Sequence, residues 1–343
     1  MTIPASMEAP RPASPDFVRA SKTYQNTAVG YDGEMLSSLS AAVRIRASEL
    51  RKEFERARPF PHVVIDSFLE PALCAGLLAE FPAFDVRAAR NETGATGRKA
   101  VVSQLPALGP AYRAFDALMR SREFLDWTGR VTGIPDLVYD PDYIGGGTHE
   151  NLDGQDLDLH VDFNYHPSRP LHRRLNLIVF LNSRWEESWG GCLELREDPW
   201  ADEETASSKV VPILNRAVIF ATTETSWHGF PQIRSPEGAG TLSRRSIAVY
   251  FYTKARPPEQ TAPSHATVYI PRALPSRFEA GYTLSPADAN ELQILIARRD
   301  AQIRFLYERE KETFQVMSAT MNSPSFRIGR ALTWPLRKAL GKP

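Results

Sequence analysis

The stretch that decides the fold reads Leu157-Asp158-Leu159-His160-Val161-Asp162-Phe163. Its apolar and polar residues alternate, which is the pattern of a β-strand whose successive side chains point to opposite faces. His160 and Asp162 therefore project from one face, with Cα atoms about 7 Å apart at a rise of about 3.3 Å per residue. An imidazole and a carboxylate at this spacing can share a metal ion. The segment predicts a strand with a metal-binding face.

A third ligand is expected further along the chain. His228 follows the apolar run Ala217-Val218-Ile219-Phe220 and precedes a strand that begins with Arg244 and Arg245. Two imidazoles and one carboxylate on one face of an iron ion leave its other positions open for a cosubstrate and dioxygen. A lone His-x-Asp pair in a chain with seven histidines is more often a surface pair than a ligand set. The order of the motifs along the chain is what favours the metal site.

This order resembles the iron(II)- and 2-oxoglutarate-dependent dioxygenases, specifically the branch that is similar to the prolyl hydroxylases. The resemblance is collinear over about residues 60–253 and includes a Gly190-Gly191 strand between the two ligand segments. It implies that His160, Asp162 and His228 bind iron(II), with 2-oxoglutarate and O2 as cosubstrates. It also implies hydroxylation of an unactivated carbon–hydrogen bond, with release of succinate and CO2. Halogenating relatives lack the carboxylate that Asp162 supplies.

The resemblance further implies residues that bind 2-oxoglutarate. Arg244 falls on the basic residue that pairs with the distal carboxylate, although a long gap after His228 leaves Arg245 as an alternative. Tyr143 precedes a glycine turn and matches a tyrosine that hydrogen-bonds the cosubstrate, with a core tyrosine as the equal alternative. Asn176 is polar within an apolar strand, so it either bonds backbone or faces the cosubstrate. Ser246 and Ala248, which lie on the same face of the strand as Arg244, are small and leave room there for a five-carbon diacid.

The fold class that follows is mainly β with flanking helices, around a double-stranded β-helix of the jelly-roll, cupin-like kind. Along the chain we expect a disordered N-terminal segment (1–30), a helical support with an entry strand (31–135), a catalytic core (136–255), a proline-rich wrap (256–284), a C-terminal helix (285–320) and a basic amphipathic tail (321–343). Within the support, residues 83–104 are expected to form an exposed loop. The tail is expected to be disordered.

Charge and cysteine content exclude several classes of function. The formal net charge is zero, so bulk electrostatics favour neither nucleic acid nor an anionic membrane. Two cysteines are too few for a disulfide framework and indicate a reducing compartment. No apolar stretch is long enough to span a bilayer, and the N-terminus lacks the pattern of a signal peptide. We expect a cytoplasmic protein, with the basic tail as an additional contact for a membrane surface. The acidic run Asp153, Asp156 and Asp158 is expected to be solvated.

The sequence does not identify the substrate or the partners, and it is compatible with two other functions. The substrate is expected to be a small molecule, a peptide or a saccharide. The helix 285–320 has a long apolar face, which either packs on its own barrel or pairs in a homodimer. The segment Ser325–Gly329 is similar to short tails of bacterial glycosyltransferases in surface-polysaccharide pathways. The alternatives are therefore a non-catalytic cupin-like accessory of that assembly, which binds a metal or a sugar, and a scaffold built on the terminal helix.

Overall fold

The computed structural model describes residues 35–85, 99–200, 207–236, 242–275 and 277–339. The N-terminal segment 1–30, predicted to be disordered, lies outside the described residues. The described strands are β1 (His62–Ile65), β2 (Lys99–Val102), β3 (Val138–Tyr139), β4 (Gly147–Leu152), β5 (Leu157–Val161), β6 (His172–Phe180), β7 (Leu193–Arg196), β8 (Ser207–Val210), β9 (Ala217–Ala221), β10 (Trp227–Phe230), β11 (Ser243–Thr253) and β12 (Val268–Ile270). The described helices are α1 (Ala41–Ile45), α2 (Ala47–Arg56), α3 (Pro71–Ala79), α4 (Pro110–Arg120), α5 (Arg122–Thr132), α6 (Pro286–Asn322) and α7 (Pro324–Ala339).

The strands form two sheets in which every pairing is antiparallel. The larger sheet has the order β1-β9-β6-β11-β4-β2, with β3 beside β11 as well, and the smaller sheet has the order β12-β5-β10-β7-β8. Nine strands, β3 to β11, fall within residues 136–255, the predicted core. The mainly β fold with flanking helices is confirmed.

The larger sheet has one apolar face and one mixed face. On β11, Ile247, Val249 and Phe251 are buried in the core that includes the helices, and the Phe251 ring lies 6.0 Å from that of Phe124 on α5. Burying each such side chain stabilises the fold by about 1.5–3 kcal/mol. The intervening residues of β11, beginning with Arg244, point the other way, toward the smaller sheet. This alternation is what places polar groups between the sheets.

Local sequence signals determine the ends of the helices. Ser121 separates α4 from α5, and its Oγ accepts a hydrogen bond from the Phe124 amide at 3.2 Å. Serine is a preferred N-cap because its side chain satisfies an unpaired amide of the first turn. A capping box begins α6: Ser285 Oγ accepts from the Asp288 amide at 3.2 Å, and Asp288 Oδ2 accepts from the Ser285 amide at 3.0 Å.

Three segments differ from the sequence predictions. The end of the predicted loop 83–104 is strand β2, which pairs with β4, while residues 86–98 lie outside the described residues. The proline-rich wrap contains β12, which pairs with the metal-binding strand β5. The disordered tail was a wrong prediction, because the chain is helical over Pro324–Ala339. Ser323 precedes this helix, and its Oγ accepts from the Phe326 amide at 3.3 Å.

The acidic run before the ligands is used for packing. Arg298 of α6 donates from Nη1 to Asp156 Oδ2 at 3.1 Å and to Asp158 Oδ1 at 3.2 Å. Asp156 is only 7% exposed in this contact. The prediction of solvated acids is therefore wrong for these two residues, which attach α6 to the smaller sheet. No helix of the described part of the chain is long and apolar enough to cross a membrane.

Candidate metal centre

His160, Asp162 and His228 meet where the two sheets face each other. His160 lies directly opposite His228 in the antiparallel pairing of β5 with β10. One potential ligand atom from each of the three residues falls within 4.8 Å of the others. His228 Nε2 is 3.4 Å from Asp162 Oδ2, and His160 Nε2 is 3.8 Å from Asp162 Oδ1. The alternation in the sequence and the strand pairing together bring the predicted triad into one place.

Both imidazoles present an unprotonated Nε2 to the centre. His160 Nδ1 lies 2.9 Å from the Asp158 carbonyl and His228 Nδ1 lies 3.0 Å from the Ser226 carbonyl. A carbonyl oxygen only accepts, so each Nδ1 carries the proton and each Nε2 keeps its lone pair. Burial, and then repulsion by His228, lower the pKa of His160 to about 3, and burial lowers the pKa of His228. The rings are neutral at pH 7, which is the form that binds metals.

Asp162 supplies an ionised carboxylate with one oxygen already occupied. Its Oδ2 accepts hydrogen bonds from Asn176 Nδ2 at 2.8 Å and from Arg173 Nη2 at 2.9 Å. Burial raises the pKa of this carboxyl, but the charge of Arg173 and the nearby imidazoles outweigh burial and hold the pKa below its usual value. Oδ1 has no such donors among the described residues and is left for a metal. Asn176, one of the residues predicted to bind the cosubstrate, instead touches the triad carboxylate.

Arg173 is a site residue that sequence reasoning missed. Its side chain is fully buried, and its guanidinium lies 3.5 Å from the ring centroid of Tyr250 and 4.5 Å from that of Phe163. It also donates from Nε to Asn176 Oδ1 at 3.0 Å. Strand alternation would place Arg173 on the face opposite to Asn176, three positions later. A β-bulge in the pairing of β6 with β11 brings both onto the face toward the metal centre.

The two arginines that begin the last long strand have different surroundings. Arg244 is buried, its Nε donates to the Gly191 carbonyl at 2.6 Å, and its guanidinium lies 4.2 Å from the Phe230 ring centroid. Among the described residues it makes no ion pair, and burial lowers its pKa to about 9. Arg245 is paired with Glu150, Nε to Oε1, at 3.0 Å. Arg244 is thus the arginine with an unneutralised charge in the interior.

Tyr143 takes the core position that the sequence left as one of its two alternatives, and His149, for which no role was predicted, lies on the face of Arg244. Tyr143 lies in the core on the helix side, where its hydroxyl donates to Asp116 Oδ1 at 3.2 Å, so the structure does not bring it to the triad. His149 on β4 lies opposite Ser246 and hence shares the face of Arg244. Its Nε2 is buried and has no hydrogen-bond partner among the described residues. Alternation along β4 was the signal that could have identified it.

A second group of potential ligands consists of Asp140, Asp142 and His166. Asp140 accepts from the amides of Asp142 and Ile144 at 3.0 Å each, and its Oδ1 is 3.3 Å from His166 Nε2. Asp142 forms an ion pair with Arg169. These contacts satisfy the carboxylates within a turn. The group therefore has a structural explanation without a metal.

Comparison with known proteins agrees with this geometry. Residues 147–252, which span β4 to β11 and carry the triad and Arg244, match the family model of the 2OG-Fe(II) oxygenase superfamily. The site and this match define an iron-dependent oxygenase. The segment belongs to that superfamily, and the chain is a 2-oxoglutarate-dependent dioxygenase, with Fe(II) as its metal and 2-oxoglutarate and O2 as cosubstrates. The family resemblance predicted from the sequence is confirmed.

The solved structures that match the chain include a prolyl hydroxylase from Trichoplax adhaerens in complex with a hypoxia inducible factor peptide fragment. It is 13% identical, the match covers 64% of this chain and 96% of that one, and the TM-score is 0.42. A Phytophthora capsici prolyl 4-hydroxylase is 15% identical, with coverage of 90% and 96% and a TM-score of 0.43. HygX from Streptomyces hygroscopicus, solved with nickel and 2-oxoglutarate, is 13% identical, with coverage of 60% and 91% and a TM-score of 0.39. No curated protein sequence matches the chain.

Proposed function

We propose that the enzyme hydroxylates an unactivated carbon–hydrogen bond of its substrate while converting 2-oxoglutarate to succinate and CO2. The observation that carries this proposal is the meeting of two neutral imidazoles and one ionised carboxylate at a single buried point. His160, Asp162 and His228 are the proposed iron ligands. A carboxylate at the Asp162 position favours hydroxylation over halogenation.

The donor set fits Fe(II). Two imidazole nitrogens and one carboxylate oxygen form the facial triad of non-haem iron oxygenases, with open positions for other ligands. Hydrogen bonds from each Nδ1 to a backbone carbonyl fix the tautomer and the orientation of both rings. When bound, Fe(II) supplies the activation of dioxygen, coupled to the oxidation of 2-oxoglutarate.

The remaining residues of the site orient and hold the other components. Arg173 and Asn176 hold Asp162 Oδ2, which presents Oδ1 to the metal. Arg244 is the proposed partner of the distal carboxylate of 2-oxoglutarate, because its Nε is held by Gly191 while its two Nη groups remain for a bidentate contact. The buried surroundings of Arg244 strengthen such a pair and keep water away from it. Tyr143 stays a weaker candidate for a cosubstrate contact, since its hydroxyl is bound to Asp116.

We also propose that the two sheets are the halves of a double-stranded β-helix with the jelly-roll, cupin-like topology. The order of the strands supports this proposal, because the chain passes from sheet to sheet. Strands β4, β6, β9 and β11 belong to the larger sheet, and β5, β7 and β10, which come between them, belong to the smaller one. In the proposed topology, β5 and β10, which carry proposed iron ligands, belong to the smaller sheet, and Arg244, the proposed contact of 2-oxoglutarate, belongs to the larger one.

The proposed substrate is a small molecule, a peptide or a saccharide, and the proposed location is the cytoplasm.

Two proposals concern the C-terminal helices. Large apolar side chains of α6 are exposed, among them Ile303 at 65% and Phe314 at 62%, and such a face favours pairing in a homodimer. The tail helix α7 combines exposed Leu332 and Trp334 with basic residues, which favours a peripheral contact with an anionic membrane surface.

Formation of succinate tests the proposed reaction directly. The purified enzyme, supplied with Fe(II), labelled 2-oxoglutarate and O2, is expected to form succinate slowly even without its substrate. The variant His228→Ala is expected to form none above the background of free iron. Equal succinate from both proteins would contradict the proposed reaction and would favour the alternative, a non-catalytic metal- or sugar-binding accessory.

A further inference from the structure

A large cavity lies beside the metal centre, at one end of the larger sheet. Its volume is about 1150 Å³, and its walls come from the C-terminal end of α5, the start of β6 and the ends of β9 and β11. A narrow cleft beside Asp162 shares Thr222, Thr223 and Arg256 with this cavity. The cavity and the cleft at the iron ligand therefore adjoin each other. A molecule of substrate size fits, since ligand sites usually measure about 300–1000 Å³.

The cavity has an excess of positive charge. Its lining, within the described part of the chain, includes four cationic residues and one acid, Asp136. The cations are Arg122, Arg174, Lys254 and Arg256. No ion pair is formed by Arg174 or Arg256 with any described residue. A positive field inside a concave site concentrates anions.

Arg174 and Arg256 are held by neutral oxygens only. Arg174 donates to Thr253 Oγ1 and to Gln260 Oε1, at 3.3 Å each. Arg256 donates from Nη2 to the Thr222 carbonyl at 2.7 Å, and from Nη1 to the carbonyl of Arg173 at 3.1 Å. These bonds fix the two guanidinium planes without neutralising either charge; Glu224, which lies beside Arg256 but forms no ion pair with it, offsets part of that charge.

Keeping the two charges there costs free energy. Burial, and then repulsion by Arg256, lower the pKa of Arg174 to about 10, and burial lowers the pKa of Arg256. Arg256 Nε and Thr222 Oγ1 are also without a hydrogen-bond partner among the described residues. A buried polar group left unpaired costs about 1–3 kcal/mol. A bound anion would offset both costs, because it brings negative charge and acceptor oxygens together.

We propose that this cavity binds a phosphate-like anionic group of the substrate, with Arg174 and Arg256 as its cationic contacts. Two guanidiniums that form no ion pair match a dianion in charge, and the unpaired Thr222 hydroxyl offers a further donor for a tetrahedral oxyanion. Thr222, Thr223 and Arg256 line both this cavity and the narrow space at Asp162, so an anion bound in the cavity would lie next to an iron ligand. The substrate part of this inference rests on the proposed hydroxylase function, but the binding of the anion does not require iron.

Inorganic phosphate is the probe for the test. Thermal unfolding of the full-length, metal-free protein is measured with increasing phosphate, against sodium chloride and sodium acetate at equal ionic strength. Phosphate is expected to raise the melting temperature, since a ligand of the folded state stabilises it in proportion to RT ln(1 + [L]/Kd). Arg174→Gln and Arg256→Gln are each expected to weaken phosphate binding at least about tenfold, which corresponds to about 1.4 kcal/mol.

Three further variants separate this site from other effects of charge. Arg256→Lys keeps the cation and is expected to retain most of the binding, which covers the case that Arg174→Gln does not fold. Arg184→Gln removes an exposed cation that does not line the cavity and that pairs with Glu186, and it is expected to change nothing. Arg244→Gln is also expected to bind phosphate normally, because its proposed ligand is 2-oxoglutarate.

The outcomes are distinct. Wild-type protein that phosphate does not stabilise, or that acetate stabilises equally, would overturn the proposal. So would binding that survives both Arg174→Gln and Arg256→Gln, or that is lost equally in Arg184→Gln. Normal phosphate binding in a protein that binds no Fe(II) would leave the anion site standing and would refute only the hydroxylase function.

Discussion

Arg173 and Asp162 form a buried ion pair in which Nη2 lies 2.9 Å from Oδ2. The arginine is enclosed by the Tyr250 and Phe163 rings, and a second hydrogen bond from Asn176 holds the same carboxylate oxygen. A carboxylate that is fixed on one oxygen can offer a metal the other oxygen in a single orientation. The pair therefore positions a metal ligand. Its loss should reduce the affinity for the metal directly and the reaction rate only as a consequence.

Removing the charge of Arg173 is expected to weaken Fe(II) binding. We expect Arg173→Gln to lower the affinity about 10–100-fold, the usual effect of losing a partner of a metal ligand. Arg173→Lys should recover part of the loss, because an ammonium can keep the contact with Asp162 but not the fork shared with Asn176. Anaerobic titration with Fe(II) measures this, with circular dichroism as a check of folding. The matched control is Arg169→Gln, in an exposed pair with Asp142. Unchanged affinity in folded Arg173→Gln would refute the positioning role.

The two neighbouring arginines of β11 are expected to respond differently to substitution. Arg244→Gln should raise the concentration of 2-oxoglutarate needed for half saturation at least about tenfold, because a buried bidentate pair is lost. Arg245→Gln should change it less than about threefold, since that residue pairs with Glu150 on the helix-facing side of the larger sheet, away from the face of Arg244. Quenching of tryptophan fluorescence by 2-oxoglutarate in the presence of Mn(II) measures both constants. A larger effect from Arg245 would reverse the assignment.

The stability of the metal-free protein should fall as the pH is lowered below about 6.5. Burial lowers the pKa of His62 and, more strongly, that of His149, from the usual 6.5. Below that value the unfolded chain binds protons that the folded chain does not, so the free energy of unfolding decreases toward the folded-state pKa. His149→Gln should reduce the slope by up to about 1.4 kcal/mol per pH unit, the value for one proton. Urea unfolding at several pH values checks this, and an identical slope in the variant would count against a neutral, buried His149.

The contact of α6 with the smaller sheet should depend on Arg298. Arg298→Gln removes the cation that α6 supplies to Asp156 and Asp158 and leaves only the longer contact of Arg272 with Asp156, at 3.7 Å. We therefore expect the helix to detach more often and to be cleaved faster by trypsin. The control is Arg309→Gln, which removes an exposed cation and a trypsin site further along the same helix. Equal cleavage within α6 of the wild type and Arg298→Gln would show that the pairs with Asp156 and Asp158 are not what holds the helix.

The sequence predicted the triad well because each of its signals is local. His160 lies on β5 and Asp162 directly follows its end, and both side chains reach the same point. The parity that separates Arg244 from Arg245 is also found in the fold. The capping box of α6 is equally local. Such features depend only on the backbone geometry of one element, so they can be predicted without knowledge of what packs against that element.

The residues that sequence reasoning misplaced depend on irregular backbone or on distant partners. Tyr143 adopts a positive φ of 48°, which turns its side chain toward the helices. A β-bulge brings Arg173 onto the metal-facing side, and strand alternation cannot foresee it. Asp156 looked like a solvated acid because its partner, Arg298, lies 142 positions away. Only the assembled fold shows these contacts.

One measurement tests the central claim most directly. The metal-free protein is titrated anaerobically with Fe(II) and then with 2-oxoglutarate, and the visible charge-transfer band of the iron–2-oxoglutarate complex is recorded. The wild type is expected to develop the band, His228→Ala to lack it, and Arg244→Gln to develop it only at much higher 2-oxoglutarate. A folded wild-type protein without the band, or a band that is unchanged in His228→Ala, would contradict the assignment of this site.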